Sequence, residues 1–206
     1  MPDSELDLPA LGAADIEALA FVARHADLVA MSFVQRPRDI EELIAALDRL
    51  DASHLGVVLK IETQKAFRRL PGLLLAVMRH STAAVMFARG DLGVAVGFER
   101  LAEVQEEILW LCEAAHIPVI RATQVLESLA KGGMPSRAEV TDAAMGTRAE
   151  SVILNKGPHI VQTLTFLGDA LRRMEAHHEK KTAMLRRLSI PESAADQRRD
   201  YRLTPI

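Results

Sequence analysis

Val85-Met86-Phe87-Ala88-Arg89-Gly90-Asp91-Leu92-Gly93 carries an apolar, strand-like run straight into a carboxylate flanked by glycines. A short apolar run without polar alternation reads as a strand buried on both faces, which is the pattern of a parallel sheet. Ligands of parallel α/β folds bind at the carboxyl ends of the strands. Asp91 is therefore placed to hold a metal or to stand beside an anion.

Working outward from this stretch, similar runs recur at 28–33, 55–61, 118–122 and 151–154, with the central one at 84–88. Amphipathic stretches separate them, so the chain reads as successive βα units and a parallel sheet. Ile16, Leu19, Ala20 and Ala23 predict a helix over 13–25, and Ile40, Leu43, Ile44, Leu47 and Leu50 predict one over 38–50. A third, over 64–79, contains Pro71-Gly72 and is expected to break there or form two short helices. A fourth, over 98–116, buries Leu101, Val104, Ile108, Leu111 and Ala115, with Trp110 expected at its outer edge. Ser136, three positions before Glu139, forms a capping-box pattern for a fifth helix over 136–148. A long last helix is expected over 160–187. The reading assigns residues 1–188 to one domain and 189–206 to a charged tail whose arginines are Arg198, Arg199 and Arg202.

Composition narrows the function classes. A chain of 206 residues with 49% hydrophobic residues supports one substantial core. The net charge of -3 mixes 28 acidic with 25 basic residues, so no overall field points to nucleic acid. The single cysteine, Cys112, sits in a helical apolar stripe and reads as a packed thiol of a reducing compartment. No apolar run approaches the roughly 20 residues that span a bilayer, and the start is acidic, so no membrane partner and a cytoplasmic location are expected. His177 and His178 are adjacent, and adjacent helical residues point about 100° apart, which disfavours a shared metal.

The strand ends carry the chemistry. The first ends in Ser32-Phe33 with Gln35-Arg36 beyond, the second in Lys60-Ile61-Glu62, the third in Arg89-Gly90-Asp91, the fourth in Ala122-Thr123-Gln124 and the fifth in Asn155-Lys156-Gly157. The two-residue period puts Lys60 and Glu62 on one side of their strand. Glu62 and Asp91, from neighbouring strands, could hold one hard divalent cation while leaving positions to water and substrate, as Mg²⁺ prefers. Lys60 and Arg89 would then face the anionic part of a ligand, and Gly90 and Gly93 would let backbone N–H groups approach it. The bland alternative is a surface loop with ordinary ion pairs.

The wording of these ends resembles the pyruvate kinase family. The resemblance rests on Lys60-Ile61-Glu62, on Ala88-Arg89-Gly90-Asp91-Leu92-Gly93, on Pro118-Val119-Ile120-Arg121-Ala122-Thr123-Gln124-Val125-Leu126-Glu127-Ser128 and on Pro135-Ser136-Arg137-Ala138-Glu139-Val140, in that order. Leu8-Pro9-Ala10-Leu11 and Met31-Ser32-Phe33-Val34 extend it over about residues 6–154. It implies an α/β fold, a partial (β/α)₈ TIM barrel whose five strands correspond to the fourth through eighth, followed by the long helix and tail. It also implies Mg²⁺-dependent phosphoryl transfer between phosphoenolpyruvate and ADP, giving pyruvate and ATP. Carried over residue by residue, Glu62 and Asp91 would bind Mg²⁺ and Lys60 would stabilise the phosphoryl group in flight. Gly90 and Asp91 N–H groups with Thr123 would hold the pyruvate carboxylate. Thr123 would lie near the enolate carbon, and Arg89 would brace the site from behind.

The resemblance has gaps. The first three barrel strands have no counterpart here, and with them go the nucleotide lid and the ligands of the family's K⁺. Asn155-Lys156-Gly157-Pro158 replaces a Ser-Gly-Glu-Thr loop that helps relay a proton. Five strands cannot close an eight-stranded barrel, so the expectation is a fragment, a half-site completed by another chain, or self-association along open edges. Two other readings stand beside phosphoryl transfer. One is a Mg²⁺-dependent aldolase or lyase working through a pyruvate enolate. The other is a non-catalytic barrel piece acting as a binding or association module.

Overall fold

A computed structural model describes residues 9–178. All five expected strands form: β1 (Leu28–Met31), β2 (Gly56–Ile61), β3 (Ala83–Ala88), β4 (Val119–Val125) and β5 (Ser151–Leu154). They make one sheet in the order β1-β2-β3-β4-β5, every neighbouring pair parallel. Met31 lies opposite Leu59, Lys60 opposite Met86 and Ala88 opposite Ala122. Parallel neighbours in strict chain order require crossover connections of one hand, which helices supply. The sheet is an arc of a (β/α) barrel.

The helices are α1 (Ala13–His25), α2 (Pro37–Arg49), α3 (Gln64–Arg68), α4 (Leu70–Val77), α5 (Arg89–Val96), α6 (Leu101–Ala114), α7 (Glu127–Gly132), α8 (Arg137–Ala144) and α9 (Ile160–His178). In α2, Pro37 starts the helix and the Asp39 carboxylate accepts from the backbone N–H of Arg36 at 2.8 Å and of Gln35 at 2.9 Å. The expected break in the third helix falls at Arg69. Pro71 and Gly72 instead sit in the first turn of α4, where proline lacks only an N–H that would have no intrahelical partner. Ser136 and Glu139 form the expected capping box, Ser136 Oγ accepting from Glu139 N at 3.2 Å and Glu139 Oε2 from Ser136 N at 2.9 Å. The other carboxylate oxygen of Glu139 accepts from Ser128 N at 2.6 Å, which ties α7 to α8. The fifth expected helix is shorter than its pattern, ending at Ala144 before a 3₁₀ turn over Met145–Arg148. The residues assigned to the far end of the last helix and to the tail lie outside the described residues.

The helices pack on one face of the sheet. Met31, Leu59, Ile61, Val85, Phe87 and Val119 form a single core with buried residues of α1, α2, α4 and α6, among them Leu19, Leu43, Leu73 and Ile108. Each such side chain contributes roughly 1.5–3 kcal/mol, several times the propensity difference between residues, so packing decides where the elements sit. The opposite face carries Leu28, Ala30, Val58, Lys60, Met86, Ile120 and Ile153. In the middle of the sheet Val58 is buried, whereas Leu28 and Ile153 on the edge strands are 55% and 42% exposed. The expectation that every strand is buried on both faces therefore holds for β2 and fails for β1 and β5. Each edge strand has one partner, so one side of its backbone is unpaired among the described residues.

Cys112 is fully buried in the core, and burial pushes its thiol up to about 12, with Glu150 adding to the shift. At pH 8 roughly one thiol in ten thousand is then ionised, so a disulfide reagent is expected to label Cys112 only after denaturation. The unfolded thiol ionises near 9.0, so its contribution to stability is complete below pH 9 and is lost as pH rises towards 12. Urea midpoints of the wild type should fall more steeply between pH 9 and 12 than those of Cys112→Ala. Parallel slopes would contradict this.

Candidate active site

Lys60 is the fifth residue of β2, and Glu62 directly follows the strand. The pleat brings them to the same side, where Lys60 Nζ donates to Glu62 Oε1 at 2.8 Å and to Ser32 Oγ at 2.8 Å. The second oxygen of Glu62 accepts from Phe33 N at 2.7 Å. Glu62 is only 3% exposed, and a carboxylate in such a position needs partners of this kind to stay charged. Phe33 adopts φ 54°, which ends β1 two residues earlier than its apolar run suggests and turns its N–H towards Glu62.

Arg89-Gly90-Asp91 forms the first turn of α5, a helix that the sequence reading did not include. Leu92 and Val96 pack into the core and make the segment helical despite two glycines. Gly90 N donates to Thr123 Oγ1 at 3.1 Å, and Thr123 Oγ1 donates to Ala122 O at 2.7 Å. A Cβ built on Gly90 meets nothing within 4 Å, so the backbone there is open to approach. Gly93 is different: a Cβ there would stand 2.9 Å from the ring of the exposed Phe98, so this glycine lets that side chain lie against α5. Asp91 is exposed, and no hydrogen bond or ion pair joins it to Lys60 or Glu62 among the described residues.

β4 runs three residues past the expected end at Ala122. Its pairing with β5 shifts register between Arg121 and Val125, and Thr123 and Gln124 take φ of 69° and 55°. A β-branched residue in that region is a true outlier, and such strain gathers at functional sites. Leu126 follows at φ 50° and opens α7, a helix absent from the sequence reading.

Behind Thr123 lies a charged cluster of which the sequence reading had Arg89, expected to brace the site from behind, but neither Arg121 nor Asp142. The Arg89 guanidinium, 11% exposed, donates to both carboxylate oxygens of Asp142 at 2.6 Å, to Ala122 O at 3.3 Å and to Thr123 O. Arg121, 4% exposed, donates to the Asp142 carboxylate and to its backbone carbonyl. Burial pushes the Arg121 guanidinium down and Arg89 adds to that, while the Asp142 carboxylate opposes both. An arginine inside the apolar run at 118–122 was the one available signal. Ser32, the second partner of Lys60, gave none beyond its strand-end position.

Lys156 is exposed, and the loop around it is anchored at Gly157, where a Cβ would lie 2.1 Å from Ala130 O. A partly open cavity of about 430 Å³ is lined by Phe87, Leu109, Trp110, Arg121, Met145 and Ala149, and Trp110 is half-buried there. An open cleft of about 770 Å³ beside Gln124, Glu127, Lys131 and Glu139 lies past the end of β4. No helix among the described residues is long and apolar enough to cross a membrane.

Comparison with known proteins agrees with the fold and the motif order. The family model for the pyruvate kinase barrel domain matches residues 1–154. Pyruvate kinase from Bacillus licheniformis is 32% identical over 95% of this chain and 34% of its own length, and that from Hypocrea jecorina is 31% identical over 95% and 38%. Pyruvate kinase from Mycobacterium tuberculosis is 37% identical over 70% of this chain and 29% of its own length. The chain thus spans about a third of the length of these curated relatives. With five parallel strands in barrel order and the motifs at their carboxyl ends, the chain belongs to the pyruvate kinase family and carries part of its TIM-type barrel domain.

Proposed function

We propose that Lys60, Glu62, Arg89, Gly90, Asp91 and Thr123 form a Mg²⁺-dependent site for pyruvate or phosphoenolpyruvate, serving phosphoryl transfer to and from ADP. The observation that carries this reading is the buried Glu62 held at 2.8 Å from Lys60, one strand away from the exposed carboxylate of Asp91. Two hard oxygen donors, one fixed by its partners and one free, suit a cation that usually takes one or two protein carboxylates. Mg²⁺ bound there would neutralise the carboxylate and phosphoryl oxygens of the ligand. Lys60 supplies a compact positive charge to the phosphoryl group as it moves. The N–H of Gly90, here donated to Thr123 Oγ1, and the Thr123 hydroxyl, here donated to Ala122 O, would turn to the carboxylate end of the ligand on binding. Thr123 Oγ1 holds the proton nearest the enolate carbon. Arg89 keeps Thr123 in place, and partners on this reading are phosphoenolpyruvate or pyruvate with ADP or ATP.

Enolisation needs no nucleotide, so it is the first test. Exchange of pyruvate methyl protons into deuterated water, followed by NMR, should depend on Mg²⁺ and exceed the rate in buffer. Exchange equal to buffer at every Mg²⁺ concentration would sink the assignment. ATP formation demands that both substrates be positioned, which is most of phosphoryl-transfer catalysis, and a lactate-dehydrogenase-coupled assay reads it separately.

Gly90→Ala separates ligand approach from folding. The added methyl enters open space on a helix, so thermal stability should stay level or rise by about 0.5–1 kcal/mol. The same methyl stands where the carboxylate approaches, and pyruvate half-saturation in the exchange reaction should rise about tenfold. An unchanged half-saturation would remove Gly90 from the site.

A further inference from the structure

Thr123 and Gln124 hold left-handed backbone at the end of β4. A non-glycine residue rarely takes this conformation unaided, so the surroundings must impose it. The groups that grip this segment come from Arg89: Nε donates to Ala122 O at 3.3 Å and Nη2 donates to Thr123 O. The guanidinium is a rigid planar fork, so a partner that fixes its plane also fixes where it meets these two carbonyls. Asp142, on α8, does that, taking Arg89 Nη1 with both oxygens at 2.6 Å.

We infer that Asp142 is a positioning residue of the site, acting through Arg89 to fix the backbone at Thr123 so that Oγ1 stays 3.1 Å from Gly90 N. The inference rests on Thr123 and Gly90 belonging to the proposed ligand site. Charge explains why the carboxylate is the deciding group. Arg89 and Arg121, 11% and 4% exposed, converge on this one acid, and without it two buried guanidiniums would face each other. Arg89 would turn away and release the Ala122 and Thr123 carbonyls. Among the described residues Arg121 hydrogen-bonds Asp142 and neither carbonyl, so it balances charge and does not aim the site.

The test compares Asp142→Asn, Asp142→Glu and Arg89→Lys with wild type. Backbone hydrogen exchange without ligand should accelerate about tenfold or more over residues 123–126 in Asp142→Asn and Arg89→Lys, and change less than about twofold over 57–61. Pyruvate half-saturation in Mg²⁺-dependent proton exchange should rise about tenfold in both, a change that a smaller folded fraction would not produce. Asp142→Glu should recover most of each effect. Unchanged exchange over 123–126, or faster exchange with wild-type half-saturation, overturns the inference. Because hydrogen exchange needs no ligand, a wild type that fails to act on pyruvate counts against the site assignment while the local exchange still decides the role of Asp142. If Asp142→Asn does not fold, Arg89→Lys carries the same comparison, since it keeps the charge and loses the fork.

Discussion

If the chain carries out the proposed phosphoryl transfer, Lys60→Met is expected to cut ATP formation from phosphoenolpyruvate and ADP by about two to three orders of magnitude in the coupled assay, the usual loss when one donor to developing charge is removed. Methionine keeps the length and apolar stem of lysine. Glu62 keeps its bond from Phe33 N, so the fold should survive with a cost of about 1–3 kcal/mol for the partner lost. Mg²⁺-dependent proton exchange of pyruvate should fall less than tenfold, because Lys60 is assigned to the phosphoryl group and Thr123 to the proton. Equal losses in both reactions would mean that Lys60 acts by holding Glu62 in place. Unchanged ATP formation would remove it from the chemistry altogether.

Gly157→Ala is expected to have the largest effect on stability. The new methyl would lie 2.1 Å from Ala130 O, 2.6 Å from Ala130 C and 3.2 Å from Lys131 N, all backbone atoms of α7 with no flexible end to yield. Moving α7 away breaks the bond from His159 N to Ala130 O, now 3.1 Å. Overpacking of this kind costs about 1–3 kcal/mol, which for a chain of this size lowers the melting temperature by roughly 3–10 °C. A melting temperature equal to wild type would show that the loop after β5 is not seated on α7. The glycine in Asn155-Lys156-Gly157-Pro158 is thus required by a contact that lies 27 positions away in the chain at Ala130.

Features that depend on near neighbours in the chain were legible. The strand runs, the helical stripes of α1 and α2, the Ser136–Glu139 box and the shared side of Lys60 and Glu62 all follow from periods of two or a few residues. The helix α5 was not legible, because Gly90 and Gly93 read locally as a turn and only the packing of Leu92 and Val96 overrides them. The left-handed Thr123 had no local sign either. Its conformation is imposed by carbonyl contacts from Arg89, which is 34 positions away in the chain.

By itself the sequence determined the order and parallel sense of the five strands, the family and the residues at each strand end, because apolar runs and motif wording are properties of short segments. Tertiary structure alone decided which of those residues meet: Glu62 with Phe33, Gly90 with Thr123, and Arg89 and Arg121 with Asp142. The physical reason is that a buried charge must find its partners in space, and the chain distance between them leaves no trace in any local pattern. The same applies to the sheet. Its order and its open edges were readable from the chain, but which side chains of β1 and β5 stand half-exposed emerged only when the strands were laid side by side.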